Sequence, residues 1–81
     1  MEEIDLNEVS DILAIRIIDI GNIIRKKRIQ AGITQQTLAF YILNDKGMIS
    51  NIERGACNNI TIYTLIKIAK VLDMDIKELI T

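Results

Sequence analysis

Apolar side chains recur at three- and four-residue steps along most of this chain, and that spacing limits what it can fold into. Val9, Ile12, Leu13, Ile17, Ile20, Ile23 and Ile24, interrupted by Arg16, line one side of a helix. No run alternates at period two for long enough to form a strand. At 81 residues the chain has room for one core. Only three aromatic residues are present, while isoleucine supplies 19 positions, so that core must be aliphatic.

Punctuation divides the periodic stretches. A first helical region runs from about residue 8 to residue 31, with Gly21-Asn22 in its middle expected to bend it or split it. Gly32 ends it, because glycine adopts the left-handed conformation without steric cost. Thr34 is an N-cap for a second helix from Gln35 to about Ile42, and Asp45 for a third over 46–54, closed by Gly55. After the polar loop Ala56 to Ile60, Thr61 caps a fourth helix over 62–72, whose apolar face is Ile62, Leu65, Ile66, Ala69 and Leu72. Ile76 to Ile80 forms a short last helix. The expected fold is an all-α, compact bundle of four to five helices. An acidic, partly helical extension over residues 1–19 precedes a domain over 20–81.

Composition removes several functions. With no histidine and one cysteine, Cys57, the chain cannot assemble a Cys/His zinc site or a disulfide framework, and Cys57 lacks a base to make it a nucleophile. The lone thiol beside an aliphatic core fits a reducing cytoplasm. The four glycines are too scattered for a phosphate-binding loop. The acidic N-terminus does not resemble a secretory signal, and the apolar stretch from Ile12 to Ile24 is too interrupted to span a membrane. An enzyme, a cofactor, a metal, a small-molecule effector and a membrane role are therefore not expected.

The formal charge of −1 hides a strong asymmetry. Residues 1–20 carry Glu2, Glu3, Asp5, Glu8, Asp11 and Asp19 against Arg16. Residues 21–54 carry Arg25, Lys26, Lys27, Arg28, Lys46 and Arg54 against Asp45 and Glu53. Within that basic part, two short helices are joined by about three residues, with small Ala39 on the first and β-branched Ile49 on the second. This spacing suits a helix-turn-helix, whose second helix can enter a DNA major groove. It equally suits a helical hairpin in an ordinary bundle, and spacing leaves both open.

The residues go further. Gly32-Ile33-Thr34-Gln35, Leu38-Ala39 and Ile49-Ser50-Asn51-Ile52-Glu53-Arg54-Gly55 resemble the helix-turn-helix of the phage repressor and Cro family, also called lambda-repressor-like or XRE. Ile24-Arg25 with Arg28, Thr64-Leu65 with Lys67-Ile68-Ala69 and Leu72, and Ile76 with Leu79 extend the likeness over about residues 20–80. Three features depart from the family pattern. Leu43-Asn44 stands where the turn usually has glycine, with Asn44 the better candidate for the left-handed conformation. Gly47 lies inside the third helix, and the loop after Gly55 lacks proline and is one residue longer.

The resemblance implies roles position by position. Gln35 would contact phosphate and buttress the recognition helix 46–54. Lys46, Gly47 and Asn51 would face base edges, where lysine can donate to guanine and asparagine can pair bidentately with adenine. Met48 would flank the groove against a thymine methyl, Ser50 would flank it with a weaker claim, and Arg54 would reach phosphate. Arg28 and Glu53 would form a structural ion pair. Lys26 and Lys27 are candidate phosphate contacts, because four consecutive basic residues circle a helix and cannot all serve one face. For each exposed residue the plain alternative is a solvated helix surface.

A module this small reads few bases, which favours a homodimer on double-stranded DNA. Either Ile4, Leu6, Val9 and Ile12, or Ile76, Leu79 and Ile80, could form its interface, while the N-terminal set could equally pack across the bundle. The expected function is a cytoplasmic, nucleoid-associated, sequence-specific transcriptional regulator: a repressor, an autoregulating antitoxin or a restriction-modification controller. The competing reading is a helical protein-interaction module with weak or no DNA binding.

Overall fold

The structure is a computed structural model that describes residues 3–80; Met1 and Glu2 of the acidic extension, and the terminal Thr81, lie outside the described residues. Five helices follow in order: α1 (Leu6–Gln30), α2 (Gln35–Tyr41), α3 (Lys46–Glu53), α4 (Ile62–Val71) and α5 (Lys77–Ile80). The described residues contain no strand.

Each of the first four helices begins where a side-chain oxygen replaces a missing backbone partner. Asp5 Oδ1 accepts from the Asn7 and Glu8 amides at 2.9 and 3.3 Å, which starts α1 earlier than its apolar pattern indicates. Thr34 Oγ1 caps α2 through the Thr37 amide at 3.0 Å. Asp45 Oδ1 caps α3 through the Met48 amide at 2.7 Å, and Thr61 Oγ1 caps α4 through the Thr64 amide at 3.1 Å. Gly32 and Gly55, at φ +73° and +71°, close α1 and α3 in the left-handed conformation.

The core is aliphatic. Ile24, Leu38, Ile42, Ile49, Ile52 and Ile68 are essentially inaccessible, and Ala39, Leu65, Ala69, Leu72 and Leu79 complete the cluster. Phe40, Tyr41 and Tyr63 all lie on the surface. The three aromatic rings therefore contribute nothing to the cluster.

Several local expectations are corrected. Gly21-Asn22 neither splits nor ends α1, which continues unbroken through both. Gly21 is instead buried against the last turn of α3, where a Cβ would lie 2.2 Å from the Ile52 carbonyl oxygen and 3.0 Å from that of Glu53. Its role is to admit a crossing helix rather than to bend its own. At the α2–α3 turn, Leu43 and not Asn44 adopts the left-handed conformation, at φ +57°. The Asn44 amide donates to the Ala39 carbonyl at 2.9 Å, and Leu43 points outward, 90% exposed. Asp73 takes the same conformation after α4, at φ +53°.

The N-terminal apolar residues do not pack across the bundle. Residues 3–16 are all exposed, and Ile17 is the first buried position of α1. The leading three turns of α1 therefore project as an arm, in a molecule extending 47 Å along its longest axis. At the other end of the chain Leu79 is buried in the core, leaving Ile80 exposed and Ile76 partly covered.

Candidate nucleic-acid interface

α2 and α3 pack closely, and α3 also rests against α1. The apolar positions Ile49 and Ile52, with Glu53, turn α3 inward. Positions three and four residues apart share a helix face, so the same rotation places Lys46, Gly47, Asn51 and Arg54 together on the solvent side. Ser50 is half-buried between the two faces. Met48 is also half-buried and packs against the core, so only part of its side chain is presented outward.

Glu53 holds this arrangement. Its carboxylate is almost wholly buried and accepts from Arg28 Nε at 2.7 Å, from Arg28 Nη2 at 3.1 Å and from Gln35 Nε2 at 3.2 Å. Arg28 Nη1 also donates to the Ile33 carbonyl at 2.8 Å. One carboxylate thereby ties the end of α1, the α1–α2 connection, the start of α2 and the end of α3. A planar guanidinium donating two parallel bonds to a carboxylate carries direction as well as charge, which suits a joint that must fix the tilt of α3. Gln35 is consequently oriented by Glu53, and its half-buried amide lies at the rim of the exposed face.

Around that rim, Thr34, Gln35 and Gln36 from the start of α2 and Lys46 from the start of α3 line a shallow groove with Arg28, Ile29, Gly32 and Ile33. Two positively polarised helix starts, the amides of Gln35 and Gln36 and the Lys46 ammonium meet there, which is a favourable environment for a phosphate oxygen. Thr34 and Gln36 were not picked out from the sequence as site residues. Their signal was present, since they flank Gln35 at the opening of a capped helix.

The exposed face carries its own internal contact. Arg54 Nη2 donates to Asn51 Oδ1, and Arg54 Nε donates to the Ser50 carbonyl at 3.4 Å. Arg54 thereby takes one of the two lone pairs of the Asn51 carboxamide oxygen and orients that side chain.

Lys26 and Lys27 sit elsewhere. They line a groove with Ile23, Gln30 and Glu78, and Lys27 Nζ lies 3.5 Å from Glu78 Oε1 of α5. That groove shares no residue with the one containing Gln35 and Lys46. Lys67, which lies within the Thr64–Ala69 stretch of α4, has a specific structural task. Its ammonium donates to the Ile42 carbonyl at 2.7 Å and lies 4.6 Å from the Tyr63 ring centre. It thereby satisfies a carbonyl at the end of α2, at the turn into α3. Among the described residues no group of three or more histidine, cysteine, aspartate or glutamate residues is placed to hold a metal ion, and no helix is long and apolar enough to cross a membrane.

The helix-turn-helix family matches residues 24–79 of the chain. Among solved structures, the restriction-modification controller protein C.AhdI from Aeromonas hydrophila is similar, with a TM-score of 0.75 and 30% sequence identity over 82% of this chain and 94% of that one. No curated protein matches the chain.

Proposed function

The chain belongs to the helix-turn-helix family, in its Cro and lambda-repressor branch, and from that membership we propose that it is a sequence-specific DNA-binding transcriptional regulator. The observation that carries the reading is the division of α3. Ile49, Ile52 and Glu53 are buried, while Lys46, Gly47, Asn51 and Arg54 share the exposed side. In the bound state α3 lies in the major groove. Lys46 and Asn51 read base edges, and Gly47 lets the backbone approach closely. Met48 and Ser50 border the groove, with Arg54 and Gln35 on phosphates.

The surface charge available for phosphate is modest. Glu53 already neutralises Arg28, leaving Lys46 and Arg54 on the exposed side of α3. Such a footprint supports action as a homodimer on two half-sites about one helical turn apart. A repressing role in the cytoplasm follows the family resemblance. The likeness to a controller protein covering almost all of that protein's length favours the restriction-modification controller among the roles considered.

Selection of binding sites from a random duplex pool tests the proposal. Recovery of a paired motif is expected, with affinity falling steeply as salt rises. The Lys46→Ala, Asn51→Ala double variant should lose the sequence preference while remaining folded. Unchanged preference in that variant would refute the assignment of α3 as the reading helix. A complete absence of salt-dependent duplex binding by the native chain would favour the protein-interaction reading instead.

A further inference from the structure

α2 reverses into α3 through a single left-handed residue. Leu43 stands at φ +57°, a conformation unfavourable for any residue with a Cβ, and its exposed side chain recovers nothing by packing. The peptide planes on either side of it are both held. The one after Leu43 is fixed locally, since the Asn44 amide donates to the Ala39 carbonyl at 2.9 Å. The one before it carries the Ile42 carbonyl, whose partner comes from far along the chain: Lys67 Nζ of α4, at 2.7 Å.

That bond acts on the left-handed residue directly. The Ile42–Leu43 plane is rigid, so its tilt sets ψ of Ile42 and φ of Leu43 together. Returning Leu43 to a negative φ with both helices held in place rotates the plane and swings the carbonyl away from α4. Ile42 is essentially inaccessible, so water does not substitute for the ammonium in the folded chain. Lys67 suits the task. It is half-buried, and its ammonium lies 4.6 Å from the ring centre of Tyr63, one turn earlier on α4. Among the described residues no carboxylate is within ion-pair distance to draw it off. Beyond the turn, only Asn44 stands between Leu43 and Asp45, which caps α3 ahead of Lys46. A change of φ at Leu43 therefore redirects the helix start that carries Lys46.

We propose that Lys67 is a positioning residue for DNA reading: it locks Leu43 in the left-handed conformation and so aims α3, without itself touching nucleic acid. This rests on the DNA-binding reading above and deepens it. Lys67 takes no part in the groove of Gln35 and Lys46, and its ammonium is committed to the Ile42 carbonyl and the Tyr63 ring. The lock matters because Leu43 has a Cβ. Leu43→Gly removes the penalty for a positive φ, so the loss of Lys67 should then cost far less.

Titration of the full chain with the duplex recovered from a random pool, and with a scrambled duplex of the same length, tests the lock at several salt concentrations. Circular dichroism at the working temperature establishes that each variant is folded. Lys67→Met, which keeps the stem and loses the ammonium, should weaken binding to the recovered duplex about tenfold and barely change binding to the scrambled one. The slope of log affinity against log salt should stay as in the native chain. Lys67→Arg, which keeps a cation and its donors, should recover most of the loss. In the Leu43→Gly background, Lys67→Met should cost less than about threefold, and urea unfolding should show the same coupling between the two positions. Undiminished discrimination in Lys67→Met would overturn the positioning role. Equal weakening on both duplexes, with the slope reduced by about 0.9, would make Lys67 a phosphate contact instead. A loss as large in the Leu43→Gly background would overturn the link to Leu43. A native chain that binds neither duplex would overturn the DNA-binding reading and the positioning role with it, while the coupling in urea unfolding would still report the lock on its own.

Discussion

Replacing Gly21 by alanine sets two effects of opposite sign against each other. In a helix interior, alanine is favoured over glycine by about 1 kcal/mol, so α1 taken alone should become more stable. The added methyl would stand 2.2 Å from the Ile52 carbonyl oxygen and 3.0 Å from that of Glu53. Both are backbone atoms of a helix and cannot rotate away. Relief requires α1 and α3 to part by roughly 1 Å, at a cost near the upper end of the ~1–3 kcal/mol typical of overpacking. The net expectation is a loss of about 2 kcal/mol. For a domain of this size that lowers the melting temperature by roughly 8–16 °C. The displacement falls beside Glu53, so the bidentate bond to Arg28 should loosen as well. Urea unfolding followed by circular dichroism gives the free energy directly. Asn22→Ala is the control, since it changes an exposed neighbour in the same helix and should stabilise slightly. A Gly21→Ala chain as stable as the native one, or more stable, would refute the close crossing of α1 and α3.

Other perturbations separate the parts of the molecule. Glu53→Ala should cost about 3–5 kcal/mol in urea unfolding, because it strands a partly buried guanidinium; a loss below about 1 kcal/mol would show that the joint is dispensable. Leu43→Gly should stabilise by up to about 1 kcal/mol, since it removes left-handed strain at an exposed side chain that packs on nothing; a lower melting temperature would contradict that conformation. Arg54→Ala should reduce the slope of log affinity against log salt by about 0.9 while keeping the preferred site, as expected for one lost phosphate contact. Asn51→Ala should do the reverse, flattening discrimination at one base pair by about 1–3 kcal/mol with little change in slope. If the two variants behave alike in a salt titration, the separation of reading and anchoring residues is wrong.

The local architecture was legible because it depends on residues close together in the chain. Apolar steps of three and four set the helices. Asp45, Thr34 and Thr61 cap three of them as their side chains dictate, and Gly32 and Gly55 close two. The aliphatic core followed from the wealth of isoleucine and the scarcity of rings. The spacing of Ala39 and Ile49 left a helix-turn-helix and a plain hairpin equally open, and the resemblance carried by the surrounding residues decided between them. The turn was less readable, because the left-handed residue is set by where α2 runs out. That point falls at Leu43, although Asn44 would bear the conformation more easily.

Only the packed structure decided the rest, since it depends on groups far apart in sequence. Nothing local distinguishes a glycine that bends a helix from one that admits another helix, and Gly21 became intelligible only beside Ile52 and Glu53. Four consecutive basic residues look alike in a string. Their differences arise because a helix turns each by about 100°, sending Arg28 to a buried carboxylate and Lys27 to α5. The apolar leader could equally have folded back or reached out. It reaches out because α1 continues through Gly21 and carries residues 6–16 past the end of the bundle. Periodicity determines which side of a helix is apolar, whereas tertiary contacts determine what, if anything, covers it.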